Sequence, residues 1–436
     1  MQLGAILARN KRKAAAVTAW AAVTIAVVAV RAWGYRDAPT WLVPVARGSA
    51  AGIYLNSALV LLPMLRLTLS RSWTQPLRRV LALHAAIEAH AWAGVAILAF
   101  SAVHVAAYLG LWWAETDLFR AVARPVPLWT GIALVPLFAA LGWGARVRTG
   151  GPFEGFYFTH FLSIPIGALC LVHAPWFPAI VGVPLGAFLV DRLLRLLWMT
   201  REARIASLAV EGRDLAVVLD RPPGFAYRSG DYAFLCIPAI SRVQWHPFSL
   251  TNAPSDTAGL AFRIRLAGEW TRALAALAPG TPVHVDGPFA TPCRDLHGCP
   301  RAVVVAGGIG ITPFVSFLSE VRVDVRAGRP PPFDRLHLWW LERDVDSFRA
   351  FYPLLDELER ALGGALTVSL VTRAGGDAPL PRLATTRPVA WDTALIELRS
   401  DGLDGATVFF CGPPGLSAVL RAASRGVGFK FRTESF

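Results

Sequence analysis

The stretch THFLSIPIGALCLVHAP (Thr159–Pro175) is apolar enough to lie inside a lipid bilayer, yet it carries a histidine near each end. His160 and His173 stand thirteen residues apart, a separation of about 20 Å along a helix that rises ~1.5 Å per residue. An imidazole in hydrocarbon is costly unless a partner engages its nitrogens, and ionisable groups at that depth mark functional sites. These histidines therefore predict two ligand positions at two depths of one membrane helix.

A second stretch, EAHAWAGVAILAFSAVHVAAY (88–108), repeats the pattern with His90 and His104 fourteen residues apart. Both stretches are expected to run from the inner to the outer face, so that His90 lies level with His160 and His104 level with His173. Two helices that offer two imidazoles at each of two depths predict two bis-histidine haem sites stacked across a membrane. The alternative is that each histidine bonds a neighbouring helix, but the matched depths favour haem.

The thirteen-residue spacing requires an adjustment in the second helix. Fourteen residues complete four turns at a 3.5-residue period, so His90 and His104 share a face. On an uninterrupted helix His173 lies about 100° away from His160. Pro165 stands between them, and we expect this proline to bend the helix.

The hydrophobic residues, 54% of the 436-residue chain, are concentrated before residue 198. This first half contains six apolar stretches long enough to cross ~30 Å of hydrocarbon. They are Ala14–Val30, Gly48–Leu65, His84–Trp112, Pro127–Ala145, Phe153–Ala174 and Phe177–Trp198. The basic RNKRK before the first stretch resembles a signal peptide, but no small-residue cleavage site follows, so an anchor is expected.

The distribution of basic residues predicts the orientation, because cytoplasmic loops are enriched in lysine and arginine. One side collects Arg9, Lys11, Arg12, Lys13, Arg66, Arg71, Arg78, Arg79, Arg146, Arg148, Arg192, Arg195, Arg201 and Arg204, and the other has Arg31, Arg36, Arg47, Arg120 and Arg124. We therefore expect a multi-pass membrane protein, surrounded by lipid, with both termini in the cytoplasm.

The net charge of +13 does not indicate a nucleic-acid partner. Nearly all of it is arginine, and the second half shows no basic stripe with interleaved aromatic residues. The five cysteines form no even framework and are expected to be free thiols. Cys293, His297 and Cys299 resemble a metal site only weakly, because a fourth ligand is missing, and a plain loop is favoured.

The second half, from residue 201, alternates short strands and helices as a cytosolic protein does. The strands DLAVVLD, DYAFLCI and LAFRIRL around WHPFSLTNAP (Trp245–Pro254) predict a small antiparallel barrel. RAVVVAGGIGITPF (Arg301–Phe314) then gives an apolar strand, a glycine-rich turn and a helix, the arrangement that receives a dinucleotide pyrophosphate. ATVFFCGPPG (Ala406–Gly415) puts Cys411 at the carboxyl end of a strand, where ligands bind in open α/β sheets.

Taken together, these motifs resemble the NADPH oxidases and the related ferric reductases, most closely a bacterial NADPH oxidase. The paired histidine spacings, HPFS, IRLAGEWT, GGIGITPF, CGPPG and a terminal phenylalanine occur in the order of that family. The resemblance implies a six-span membrane helical bundle at 1–199, an FAD-binding antiparallel β-barrel at 200–298, and an NADPH-binding α/β domain at 299–436. The two cytosolic domains would form a ferredoxin-reductase-like module.

The resemblance also implies roles for individual residues. The flavin would be held by His246, Pro247, Phe248 and Ser249, with Arg265 and Thr271 on its pyrophosphate and Phe436 stacked on its ring. The NADPH pyrophosphate would be bound by Gly307, Gly308, Gly310, Thr312 and Pro313, and the nicotinamide would lie beside Cys411, Gly412, Ser249 and Glu434. Arg343 and Arg373 are candidates for the 2′-phosphate, with exposed solubilising charges as the alternative, and a disordered polar tail is the alternative for Phe436.

The implied activity is electron transfer from NADPH through FAD and two b-type haems to an acceptor outside. Bis-histidine ligation leaves no open position on iron, which suits outer-sphere reduction of O2 to superoxide. Arg47 matches an arginine near the outer haem, where a cation stabilises superoxide, although an interfacial anchor is the alternative. The sequence departs from the family at three positions around the predicted haems. Tyr108 stands where animal oxidases often have another histidine, and Ile97 and Ile166 stand where relatives often have an aromatic residue. Reduction of ferric chelates is the alternative activity, and a haem carrier is less favoured; no regulatory partner is expected, since no calcium-binding loop is seen.

Overall fold

The computed structural model describes residues 11–65, 83–114, 125–147, 153–343, 345–372, 383–386 and 389–434. The chain divides into two compact units, Met1–Leu193 and Leu194–Phe436. The first is helical, and the second contains all the strands of the described residues.

The first unit consists of long apolar helices with few charges. Helices α1 to α7 are, in order, Lys11–Trp33, Leu42–Leu59, Leu83–Ala114, Pro125–Val147, Phe153–His160, Ser163–His173 and Phe177–Leu194. Large apolar side chains point outward from them: Ile25 is 66% exposed, Trp113 88% and Val183 81%. Such surface is compatible with lipid rather than water, because it would otherwise form a large exposed apolar patch.

Five spans in the described part of the chain are long and apolar enough to cross a membrane: Ala14–Trp33, Leu42–Met64, Ala86–Ala114, Val126–Arg146 and Gly155–His173. The sixth predicted span corresponds to α7, which is not one of these five spans. Helix α7 continues into a π-helical turn at Arg195–Met199. The predicted multi-pass helical bundle is confirmed, with five to six spans.

The fifth span is interrupted between its two histidines. Helix α5 ends at His160, two turn residues follow, and α6 begins at Ser163. Proline lacks an N–H, and its ring clashes with the carbonyl four residues earlier; for Pro165 that carbonyl belongs to Phe161, in the interruption itself. The helix is therefore interrupted one turn before Pro165, between the two histidines.

The first sheet of the second unit is an antiparallel barrel. Strands β1 to β6 are Thr200–Glu211, Asp214–Leu219, Tyr232–Cys236, His246–Ser249, Leu260–Arg265 and Pro282–Phe289, and their order in the sheet is β4-β3-β6-β1-β2-β5. An antiparallel bridge from Leu250 to Phe262 joins the β4 edge to the β5 edge. Because this bridge removes both open edges, the sheet closes on its own core. Helix α8 (Glu269–Ala275) follows β5.

The second sheet is parallel and carries helices on its two faces. Strands β7 to β12 are Arg301–Gly307, Arg335–Glu342, Leu366–Thr372, Ala384–Thr385, Thr407–Cys411 and Lys430–Glu434, in the order β10-β9-β8-β7-β11-β12. Helices α9 to α12 are Thr312–Arg326, Tyr352–Leu362, Trp391–Leu398 and Pro414–Gly426. The chain winds outward from β7 and then returns to β11 on its other side. The switch point between β7 and β11 is where such sheets bind ligands, and the predicted fold class is confirmed.

Candidate functional site

The four membrane histidines meet in two pairs. The rings of His90 and His160 have centroids 5.8 Å apart, and those of His104 and His173 are 6.4 Å apart. Each pair joins a residue of α3 to a residue of the interrupted fifth span. The pairing is the one that the matched depths predict.

Backbone carbonyls hold three of these rings through Nδ1. The Nδ1 of His90 lies 2.8 Å from the carbonyl oxygen of Val60, and that of His104 lies 3.0 Å from that of Ala46. His173 Nδ1 lies 3.0 Å from the carbonyl oxygen of Pro127. A ring that donates its Nδ1 proton to a carbonyl leaves Nε2 as an unprotonated nitrogen for a metal.

The space in each pair also fits a bis-histidine metal. A metal–imidazole bond is ~2.0 Å, so one ion bonded to both rings requires ring centroids several ångströms apart, as observed. The glycine at position 131 contributes to this space, because a Cβ there would lie 3.1 Å from Cε1 of His173. The residues present therefore fit the haems that the sequence predicts.

Arg47 lies one residue after the carbonyl that holds His104. Its guanidinium stacks over the ring of Tyr35, 5.4 Å from the centroid, and Arg31 stacks over the same ring at 5.1 Å. Tyr108 lies against His104, with centroids 5.0 Å apart. Tyr35 belongs to no motif and was not predicted as a site residue, yet it is part of this cationic and aromatic end of the bundle.

The predicted flavin-binding motif, HPFS, forms strand β4. It lies beside the indole of Trp270, which was not predicted as a site residue. Trp270 lies 4.3 Å from the ring of His246 and 5.8 Å from that of Phe248, and all three belong to the barrel. Burial lowers the pKa of His246, so this imidazole is neutral at physiological pH. The Ser249 hydroxyl is buried and has no hydrogen-bond partner among the described residues, which leaves it able to bond a ligand. Pro247 is in β4.

The two predicted pyrophosphate residues of the barrel are both engaged by the protein. Arg265 Nε donates to Asp214, and its Nη2 donates to Glu342 Oε1 at 2.7 Å. Burial would lower the pKa of Arg265, but these two bonds raise it above its usual value. Thr271 Oγ1 accepts the backbone N–H of Gly268 at 3.1 Å and fixes the turn before α8.

The two glycine-rich turns pack directly on each other. A Cβ on Gly310 would lie 2.4 Å from the carbonyl oxygen of Cys411, and one on Gly307 would lie 2.7 Å from Cδ of Pro413. A Cβ on Gly412 would lie 3.0 Å from the backbone of Gly307. Only glycine fits these positions without moving a neighbour, so GGIG and CGPPG form one surface at the switch point.

The conformation of this turn also depends on glycine. Gly308 has φ +61°, in the left-handed region that glycine adopts at little cost. Thr312 donates its hydroxyl to Ile309 at 3.1 Å, and Pro313 lies in the first turn of α9. The turn therefore leads directly into the N-terminus of α9, the end of a helix that binds phosphate.

Cys411 and Glu434 stand directly opposite each other on β11 and β12. Cys293, which the sequence suggested only as a weak metal ligand, donates its thiol to Glu434 Oε2 at 3.5 Å. Burial raises the pKa of both thiols well above the usual value, with the Glu434 carboxylate adding to the effect. Both thiols are neutral at physiological pH.

No three histidine, cysteine or acidic side chains in the described ranges gather as a metal group. His297 Nε2 instead lies 2.5 Å from Ser229 Oγ and 3.4 Å from Glu320 Oε2.

The parallel sheet and its helices, residues 301–434, form the nucleotide lobe. Two serine hydroxyls of its helix α9 donate hydrogen bonds to the barrel. Ser316 donates to the Asn252 carbonyl at 2.9 Å, and Ser319 donates to that of Thr251 at 3.2 Å. Because α9 follows the GGIG turn and Thr251 follows the HPFS strand, these bonds connect the two predicted cofactor-binding elements.

The three remaining predicted residues have different outcomes. Arg343 is exposed just after β8, as a phosphate-binding arginine or a solubilising charge would be. Arg373 and Phe436 lie outside the described residues, and their roles stay predictions.

Comparisons with known proteins agree with this arrangement. Residues 51–171 match a family described as ferric reductase like transmembrane component, and residues 200–292 match an FAD-binding domain. The predicted resemblance to NADPH oxidases and ferric reductases is confirmed.

The relatives include human NADPH oxidase 5, which is 25% identical over 90% of this chain and 65% of its own length. A superoxide-generating NADPH oxidase heavy chain of Dictyostelium discoideum is 27% identical over 87% of this chain and 86% of its own. A respiratory burst oxidase homolog of Oryza sativa is 28% identical over 81% of this chain, which spans 49% of that relative's length.

Among solved structures, a ferredoxin NADP+ reductase from Neisseria gonorrhoeae with bound FAD and NADP covers 54% of this chain and 98% of its own. Its sequence identity is 16% and the TM-score is 0.44.

Proposed function

We propose that this chain, a member of the NADPH oxidase and ferric reductase family, transfers electrons from cytosolic NADPH through FAD and two stacked bis-histidine haems to O2 on the outer face, giving superoxide. It would do so in a bacterial inner membrane with both termini in the cytoplasm. When bound, NADPH supplies a hydride, FAD divides the two electrons, and the haems carry them singly. The observation that carries the proposal is the pairing of His90 with His160 and of His104 with His173.

Each histidine pair would hold one haem. The carbonyls of Val60, Ala46 and Pro127 fix the orientation of three rings, and a fixed tautomer maintains Nε2 as the donor. If both histidines of a pair hold the iron, the acceptor would receive its electron without bonding to iron. That restriction favours a small diffusible acceptor such as O2.

The barrel and the nucleotide lobe would bring flavin and nicotinamide together. The neutral His246 and Phe248 provide an apolar wall for the flavin, and the buried Ser249 hydroxyl has capacity for a further hydrogen bond. The neutral Cys411 thiol and the Glu434 carboxylate would line the place of hydride transfer. A buried, uncharged thiol excludes water without repelling the positive charge that develops on the nicotinamide ring.

The Arg47 guanidinium would serve the outer acceptor. Its position next to the Ala46 carbonyl associates it with the outer histidine pair, and a cation there stabilises a developing superoxide. Its stacking on Tyr35 holds the guanidinium in one place.

Purified full-length protein loaded with FAD and haem tests the proposal. With NADPH in air we expect superoxide, detected by a dye whose reduction superoxide dismutase suppresses. Ferric chelate reduction, measured without oxygen, should be slower. The reverse order of rates would assign the chain to metal reduction, and flavin that NADPH does not reduce would refute the pathway.

A further inference from the structure

Arg265 is held by two carboxylates from different lobes. Asp214 stands opposite it on the neighbouring strand β2 of the same barrel. Glu342 comes from the end of β8 in the nucleotide lobe, and its Oε1 lies 2.7 Å from Nη2. Asp214 is also paired with Arg263, whose Nε lies 3.6 Å from Asp214 Oδ2, and Arg265 is the guanidinium that the two carboxylates share.

These groups are withdrawn from water. The side chains of Glu342 and Asp214 are 4% and 6% exposed, and that of Arg265 is 21% exposed. Charge pairs of this kind interact more strongly than surface pairs, because solvent screens them less. A ligand that needs Arg265 must compete with them.

The Glu342 carboxylate also faces the phosphate loop. A Cβ built on Gly308 would lie 3.8 Å from Glu342 Oε1 and 3.9 Å from Arg265 Nη1. The second oxygen of Glu342 accepts the N–H of Arg343 at 3.3 Å. A carboxylate thus lies beside the loop that the pyrophosphates of FAD and NADPH are expected to approach. Such loops ordinarily attract phosphate, and the negative charge of Glu342 opposes that attraction.

We propose that Glu342 competes with the FAD pyrophosphate for Arg265 and so lowers the affinity of the chain for its flavin. The proposal rests on the proposed function and on the role predicted for Arg265, which is to hold that pyrophosphate. Asp214 alone suffices to orient the guanidinium, since it lies in register on the adjacent strand. Glu342 adds a charge that the incoming phosphates must displace or tolerate. Glu342 therefore acts on the flavin through Arg265, as a competitor for the guanidinium.

The test is an FAD titration of purified full-length protein stripped of flavin, followed by quenching of flavin fluorescence. Glu342→Gln removes the charge and keeps the shape, and we expect it to lower the Kd for FAD about tenfold, equivalent to about 1.4 kcal/mol. Glu357→Gln is the matched control, because Glu357 is in the same lobe and forms an exposed pair with Arg326 at 2.7 Å. Its Kd should stay within about twofold of wild type.

Glu342→Ala removes the charge without adding an amide, and it should shift the Kd for FAD in the same direction. This second variant shows whether the result depends on a folding defect specific to glutamine. An unchanged or weaker FAD affinity in both Glu342 variants would overturn the role of Glu342 while leaving the proposed function intact. Wild-type protein that binds no FAD would overturn both.

Discussion

Gly310→Ala should slow hydride transfer through a steric effect at the switch point. Gly310 is not among the glycines with positive φ, so alanine faces no conformational penalty there. Its Cβ would instead lie 2.4 Å from the carbonyl oxygen, 2.7 Å from the carbonyl carbon and 3.2 Å from Sγ of Cys411. Cβ atoms in proteins essentially never lie closer than 3.0 Å to another heavy atom, so the two turns would have to separate by about 0.6 Å.

The expected magnitude follows from that displacement. Overpacking of this kind costs about 1–3 kcal/mol of stability, and misplacing reacting groups by ~1 Å costs roughly 100-fold in rate. We therefore expect flavin reduction to slow by about 10- to 100-fold, because Cys411 moves with its carbonyl. The assay is anaerobic stopped-flow absorbance of the full-length protein loaded with FAD and mixed with NADPH.

Gly415→Ala is the matched control for this experiment. A Cβ on Gly415 meets nothing within 4 Å, and the residue lies in the first turn of α12, so alanine is tolerated. A Gly310→Ala rate within about twofold of the Gly415→Ala rate would refute the reasoning, since it would mean that the two turns separate without moving the thiol.

Three further predictions concern the haem pairs, the acceptor and the buried thiols. His104→Ala should remove one of two haems per chain and leave flavin reduction by NADPH intact, as measured by pyridine haemochrome content; His297→Ala is the control, and two retained haems would contradict the pairing. Arg47→Ala should lower superoxide production without altering haem spectra or flavin reduction, whereas an unchanged rate would make Arg47 a membrane anchor. Burial raises the pKa of Cys293 and Cys411 above that of an unfolded thiol, so the folded state keeps these two protons to a higher pH than the unfolded state does. The contribution of the thiols to stability is complete below the unfolded pKa of ~8.5 and is lost as the pH rises above it. The Tm of the second unit should therefore fall between about pH 8 and pH 10, and should fall less in a Cys293→Ala, Cys411→Ala double variant; equal slopes would show that the thiols do not contribute.

Periodicity and local motif determined much of this protein without any structure. The apolar stretches predicted the membrane helices, because crossing hydrocarbon demands length and apolarity along a continuous segment. The sequence pattern at Arg301–Phe314 predicted the strand, the glycine-rich turn and the helix that the structure shows there, since glycine content and helix entry are properties of neighbouring residues. The interruption of the helix one turn before Pro165 also follows from local sequence, because a proline disrupts the turn that precedes it in a helix.

The tertiary structure decided which groups face one another across distant parts of the chain. The carbonyls that hold His90, His104 and His173 come from main chain, which has the same chemistry at every residue, so no sequence signal identifies Val60, Ala46 or Pro127 as their source. Contacts between lobes, such as Arg265 with Glu342 and Cys293 with Glu434, join residues 77 and 141 positions apart. Such pairs depend on how distant segments of the second unit pack, and residue type restricts that packing only weakly. Sequence thus specified the chemistry available at each position, and packing specified the partner that each group meets.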